Sequence, residues 1–268
     1  AHEVRFREAL TWTFVWIGLS LTFNGWVWIE AGSGPALEFF TGYVIEKALS
    51  VDNIFVFIVI FQYFRIPGKY QHRVLFWGVL GAIILRGLFV ALGVALITKF
   101  HWIIFVFGGF LIFTGLRIMF KGDGEVHPEK NPVVKFLETH LRVASDFDGQ
   151  KFFTKENGRK VATPLLLVLL VVEATDVVFA VDSIPAIFGV TRDPFIVFTS
   201  NIFAILGLRA LYFVLADLMD RFEYLHYGLG LVLVFVGVKM GISEWVEIPI
   251  YVSLGVVVAL LGGSMGLS

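Results

Sequence analysis

The chain has 268 residues, of which 57% are hydrophobic and only 16% charged, with a mean hydropathy of +0.83. A water-soluble fold of this length could not bury so much apolar surface, since soluble domains carry about one-quarter charged residues. The net charge of −1 excludes a global pull toward nucleic acid, and the absence of cysteine excludes disulfides and thiolate metal sites.

Long apolar runs separated by short polar breaks read as an all-α polytopic membrane protein. The opening segment AHEVRFREAL lacks the apolar core and cleavage site of a signal peptide. Eight segments have the length and apolarity of spanning helices: 9–29, 38–63, 73–97, 102–120, 163–188, 195–216, 224–242 and 248–266. A polar segment, 121–162, interrupts the series. Within it, NPVVKFLETHLRV predicts a short interfacial helix and Asn157-Gly158 a tight hairpin turn. If residues 1–8 lie inside, loops 64–73, 121–162 and 217–223 lie inside as well. Those segments hold fourteen Lys and Arg, against three (Lys99, Arg192, Lys239) on the other side. The positive-inside rule therefore places these loops in the cytoplasm.

The second and fifth spans resemble each other. Setting Glu46 on Asp176 puts Asp52 on Asp182 and Asn53 on Ser183. Further on, LRGLFVAL (85–92) matches LRALYFVL (208–215), setting Arg86 on Arg209, and Gly115 falls on Gly237. Three spans repeat three spans, and an odd number inverts the second copy. Inverted repeats are characteristic of secondary transporters that hold substrate near the midplane. The expected organisation is an N-terminal helix (1–37), a first repeat (38–120), a cytoplasmic loop (121–162), a second repeat (163–242) and a C-terminal helix (243–268).

The matched positions are costly ones. A charge at mid-bilayer costs roughly 2.5–3.5 kcal/mol on insertion scales. Glu46, Asp52, Asp176 and Asp182, ionised and unpaired, would cost on the order of 10 kcal/mol. A bound cation, protons, or the arginines Arg86 and Arg209 must offset that, with Lys47 a further candidate partner for Glu46. Glu46, Ser50 and Asn53 share one helical face, whereas Asp52 points elsewhere, and Asp176 and Asp182 stand six residues apart. Convergence of all four acids calls either for local unwinding, for which Asn53 and Pro185 offer sites, or for a site wedged between the repeats. The available ligands are all oxygen: the carboxylates, Ser50, Asn53, Ser183, and also Asn201 and Thr175. Such a set suits Mn²⁺, Mg²⁺ or Ca²⁺. With no Cys and no mid-span His, zinc and copper fit less well. Glu173 reads as a proton carrier or a satisfied bystander; Asn24, Asp217 and Glu223 read as solvated or capping residues.

The stretches TGYVIEKALSVDNIFVF, VEATDVVFAVDSIPAIF and DPFIVFTSNIFAILGLRALYF closely resemble the bacterial TerC/Alx integral membrane proteins over nearly the whole chain. The resemblance implies Mn²⁺ efflux across the bacterial cytoplasmic membrane. By motif match it assigns Glu46, Asp52, Asn53, Asp176, Asp182 and Ser183 to the metal, with Ser50, Glu173, Arg86, Arg209 and Asn201 around them. The family pattern includes a further acidic helix before AHEVRFREAL, which would raise the span count to nine. The expectation is a transporter rather than an enzyme, exchanging Mn²⁺ for protons, with the lipid bilayer, the cation and protons as partners. Two alternatives stand beside it: a membrane scaffold or assembly factor for metalation or insertion of other proteins, with any bound metal structural, and an exporter of another cation. A water-accessible acidic cavity favours transport; a sealed cluster bridged to Arg86 and Arg209 favours the scaffold.

Overall fold

The computed structural model describes residues 6–100, 102–121, 132–144, 146–156, 158–215 and 224–267; the side chains of Asp52 and Asp182 lie outside that description. The chain is helical at every segment where a long helix is expected. These helices are α1 (Phe6–Ala31), α2 (Ser33–Tyr63), α3 (Gly68–Lys99), α4 (Ile103–Lys121), α6 (Pro164–Phe188), α7 (Pro194–Leu206), α8 (Leu208–Leu215), α9 (Leu225–Ile242) and α10 (Ile250–Leu267). The 121–162 segment supplies α5 (Pro132–His140) and a hairpin of β1 (Phe153–Glu156) and β2 (Arg159–Ala162). The strands pair antiparallel from Phe153↔Ala162 to Glu156↔Arg159, and Gly158 turns the corner at φ +75°.

The boundaries follow local chemistry. Gly32, at φ +91°, breaks the chain between α1 and α2, a conformation free of steric cost only for glycine. Pro67 separates α2 from α3, and Pro164 and Pro194 open α6 and α7 at positions where a missing N–H costs nothing. Asp193 caps α7, its Oδ1 accepting from the Phe195 N–H at 2.8 Å. Two expectations need correction. The segment 195–216 is a bent pair, with α7 and α8 meeting at 43° across Gly207. And α2 and α6 run through Asn53 and Pro185 as unbroken helices, so the unwinding expected there is absent.

Among the described residues, four helices are long and apolar enough to cross a bilayer by themselves, namely α3, α4 (through Phe120), α6 and α10, and the bent α7–α8 pair makes a fifth if it is one span. Only 22–39% of their apolar windows is buried inside the protein. Ile84, Leu88, Phe113, Val178 and Tyr251 point outward instead. An apolar exterior of this extent calls for lipid. The helices α1, with four tryptophans and Asn24, and α2, with its acids and Lys47, are less apolar, and α9 is shorter.

Inside, α4 packs along α9, α2 along α7 and α3 along α6. Glycines set the α4–α9 distance: a Cβ on Gly115 would lie 2.5 Å from the Gly230 carbonyl oxygen, and one on Gly237 would lie 2.6 Å from that of Gly108. The earlier glycine of α4 meets the later one of α9, so the two helices run antiparallel. The contacts of Gly78 with Val172 and Gly93 with Phe188 make α3 and α6 parallel; those of Gly42 with Ser200 and Lys47 with Ala204 do the same for α2 and α7. One apolar core (Ile45, Leu111, Ile187, Leu233) fills one end of the bundle, and a second (Ile54, Leu75, Val168, Leu208) fills the other.

Candidate functional site

Between the two cores lies a buried polar network centred on Arg86 of α3, which is 2% exposed. Its guanidinium donates to four side chains on three helices. Nε and Nη2 form a fork onto Asp176 of α6, at 3.2 Å to Oδ2 and 2.9 Å to Oδ1. Nη1 donates to Oε1 of Glu46 on α2, to Ser183 Oγ on α6 at 3.3 Å and to Asn201 Oδ1 on α7 at 3.3 Å. Asn201 closes the ring, its Nδ2 donating to Glu46 Oε2 at 3.3 Å. Glu46 is 0% exposed and Asp176 4%. Forked, charge-assisted pairing of this kind is the arrangement in which arginine binds carboxylate most tightly. Two carboxylates thus share one guanidinium.

The helices place these groups by simple spacing. Asp176 and Ser183 are seven residues apart and share a face of α6. Glu46, Ser50 and Asn53 share a face of α2, and all three are buried, although Ser50 and Asn53 are not among Arg86's partners. Of the predicted site residues, the structure therefore brings Glu46, Asp176, Ser183, Arg86 and Asn201 together. Asp52 and Asp182 sit on the same two helices, and their side chains lie outside the described part. Among the described residues, no group of three or more His, Cys, Asp or Glu is arranged to hold a metal ion.

Other expectations change. Lys47 does not pair with Glu46; its Nζ donates to the Ala204 carbonyl at 3.0 Å and faces the Tyr43 ring, while Arg86 takes the carboxylate. Arg209, the sequence counterpart of Arg86, stays out of the network. It lies half-buried on α8 and lines a separate apolar cavity of about 420 Å³ beside Trp12, Trp16 and Phe213. The bend at Gly207, two residues earlier, re-aims it. Glu173 packs its carboxyl against Gly81 of α3, and its Oε2 is buried with no hydrogen-bond partner among the described residues. Asn24 is half-buried, and its Oδ1 is buried with no partner among the described residues. Asp217 and Glu223 lie outside the described residues.

Sequence reasoning missed a polar cavity of about 760 Å³ at the ends of α2, α6 and α9. Glu38, Thr191, Arg192, Lys239, Glu244 and Glu247 line it, and Thr191 Oγ1 donates to Glu38 Oε2 at 2.5 Å. Its signal was legible: Glu38 stands eight residues before Glu46, two helical turns along the same face. Between the two, Gly42 packs against Ser200 and Ile187.

No solved structure matches the chain. The sequence is 56% identical over 265 residues to "Uncharacterized membrane protein STKORF319" of Myxococcus xanthus, covering 99% of this chain and 83% of that protein. It is 51% identical over 269 residues to the proteins named "Putative membrane-bound redox modulator Alx" of Shigella flexneri and Escherichia coli K12, covering 97% of this chain and 84% of each relative. Residues 31–268 match the model of the integral membrane protein TerC family. With its lipid-facing helices and this match over most of its length, the chain belongs to the TerC family of multi-pass integral membrane proteins.

Proposed function

We propose that the protein exports a divalent cation, Mn²⁺ foremost, across the bacterial cytoplasmic membrane in exchange for protons. The observation that carries this reading is the buried network in which two carboxylates, Glu46 and Asp176, share the single guanidinium of Arg86. Ionisable groups inside a bilayer are expensive and mark functional positions. Oxygens of Glu46, Asp176, Ser183 and Asn201 already converge, and α2 and α6 also carry Asp52 and Asp182. An all-oxygen set of carboxylates, amide and hydroxyl suits Mn²⁺, Mg²⁺ or Ca²⁺. Carboxylates that accept either the cation or protons couple the two fluxes.

Eight spans with two inverted three-helix repeats fit the packing. The pairs α2–α7 and α3–α6 exchange with each other if α2 stands for α6 and α3 for α7–α8, and each pair is parallel. The helices α4 and α9, counterparts in the repeat, cross antiparallel through reciprocal glycines. In this orientation the 760 Å³ cavity faces away from the cytoplasm and serves as the exit vestibule.

The second reading is a membrane scaffold with a structural charge network. The sealed burial of Glu46 and Asp176 and their bridge to Arg86 favour it. The name redox modulator, carried by the relatives, adds no mechanism here, because thiol exchange needs cysteine and these 268 residues have none. Mn²⁺ flux into sealed proteoliposomes separates the two readings. Transport predicts saturable flux that is lost in Glu46→Gln and Asp176→Asn; a scaffold, whose bound metal is structural, predicts no flux in either the parent or the variants.

A further inference from the structure

The geometry points to Arg86 as a tethered cation that occupies the substrate's own position when the carrier is empty. This inference rests on the cation-export reading and adds a mechanism to it. Nη1 sits where oxygens from three helices meet: Glu46 Oε1 from α2, Ser183 Oγ from α6 and Asn201 Oδ1 from α7. A guanidinium Nη1 has two protons, and here it faces three acceptors. The nitrogen is oversubscribed, whereas a spherical cation accepts six to eight oxygens without directional limits. The cluster is thus an oxygen cage in which a guanidinium nitrogen takes the place of a metal.

Two further features agree. The forked pairing onto Asp176 fixes the guanidinium plane, so Nη1 projects into the cage rather than rotating through it. Arg86 also has a small neighbour on its own helix: Gly87, against which the Phe198 ring of α7 packs, with the nearest ring carbon at 3.1 Å from a Cβ placed there. At this position α3 meets a side chain rather than another backbone. Metal and guanidinium exclude each other electrostatically and sterically. When the cation leaves, Arg86 returns, neutralises one carboxylate, and lets the empty carrier reset without an unpaired pair of acids in the membrane. When the cation enters, Arg86 must withdraw.

This assignment separates two transport modes. Mn²⁺–Mn²⁺ exchange keeps the cage loaded throughout and does not use the empty carrier. Net Mn²⁺ efflux needs the empty carrier to reset and therefore needs Arg86. The experiment uses the full chain in proteoliposomes, with the parent and Arg86→Gln compared for both modes, alongside Mn²⁺ affinity by calorimetry. The expected result for Arg86→Gln is Mn²⁺ binding tighter by on the order of tenfold or more, because a competing charge about 4 Å away is gone. Exchange persists, and net efflux is lost. Loss of binding and of both modes in a folded variant makes Arg86 a structural brace and overturns the inference, as does a variant that behaves like the parent. Absence of Mn²⁺ binding in the parent overturns the export reading itself, and this inference with it. If Arg86→Gln does not fold, Arg86→Lys carries the test. A point charge cannot reproduce the fork, so Mn²⁺ affinity rises while net efflux slows; unchanged affinity in folded Arg86→Lys overturns the inference.

Discussion

Because Glu46 and Asp176 share Arg86, their removal must be strongly non-additive. In Asp176→Asn, Arg86 loses its two charge-assisted bonds of 2.9 and 3.2 Å but keeps Glu46. The cost is that of charge-assisted hydrogen bonds, about 1–3 kcal/mol. Glu46→Gln has the same logic, with Asp176 retained. The double variant leaves Arg86, 2% exposed, with no counter-charge among these partners. Stranding a buried charge costs about 3–5 kcal/mol. The double variant should therefore fall below the sum of the singles by more than the ~0.5 kcal/mol expected of independent sites. Adding Arg86→Met to the double variant removes the stranded charge and should recover most of that loss. Thermal unfolding in detergent reads the series, with about 2–4 °C per kcal/mol for a chain approaching this size. Additive singles, or a triple variant no more stable than the double, would refute the shared-guanidinium account.

Other perturbations test the frame around the network. Gly115→Val should destabilise by about 1–3 kcal/mol, since even its Cβ would stand 2.5 Å from the Gly230 carbonyl and 3.0 Å from the Val234 amide nitrogen. Gly109→Ala on the same helix meets nothing within 4 Å and should be neutral or slightly stabilising in the same melt. Asp193→Ala removes the α7 cap and should cost about 1 kcal/mol, most of it restored by Asp193→Ser. In the 121–162 segment, the Thr154 hydroxyl and the Lys151 ammonium hold the Asp148 carboxyl below its usual range. Its contribution is present at neutral pH and is lost as pH falls through the lowered midpoint. A carboxyl NMR titration should show that midpoint rising toward the usual value in Thr154→Val.

What the sequence disclosed and what it withheld divide along physical lines. Apolar runs and prolines placed the long helices, because both act locally, and Asn157-Gly158 placed the hairpin for the same reason. Glu46, Asp176, Ser183 and Asn201 were legible as a constellation because intramembrane polar groups are too costly to be incidental. Arg86 was legible as a partner for the same reason, but the choice of Arg86 over Lys47 was not. Lys47 is adjacent to Glu46 in sequence, yet neighbours on a helix diverge by about 100°, and only the packing of α3 on α6 brings a cation to the carboxylates. Arg209 shows the converse. Its sequence match to Arg86 is close, yet the 43° bend at Gly207 turns it toward Trp12 and Trp16, and a lone glycine gives little notice of such a bend.

The central claim, that these carboxylates carry a cation through the membrane, is tested most directly by flux. Purified protein in sealed proteoliposomes is followed for Mn²⁺ movement with and without an imposed pH gradient, beside Asp52→Asn and Asp182→Asn. The account predicts gradient-driven Mn²⁺ flux in the parent and its loss in both variants, which remain folded. Undiminished flux in folded Asp52→Asn or Asp182→Asn would contradict the assignment of the site. No flux in the parent would contradict transport and leave the acids and Arg86 as a structural charge network.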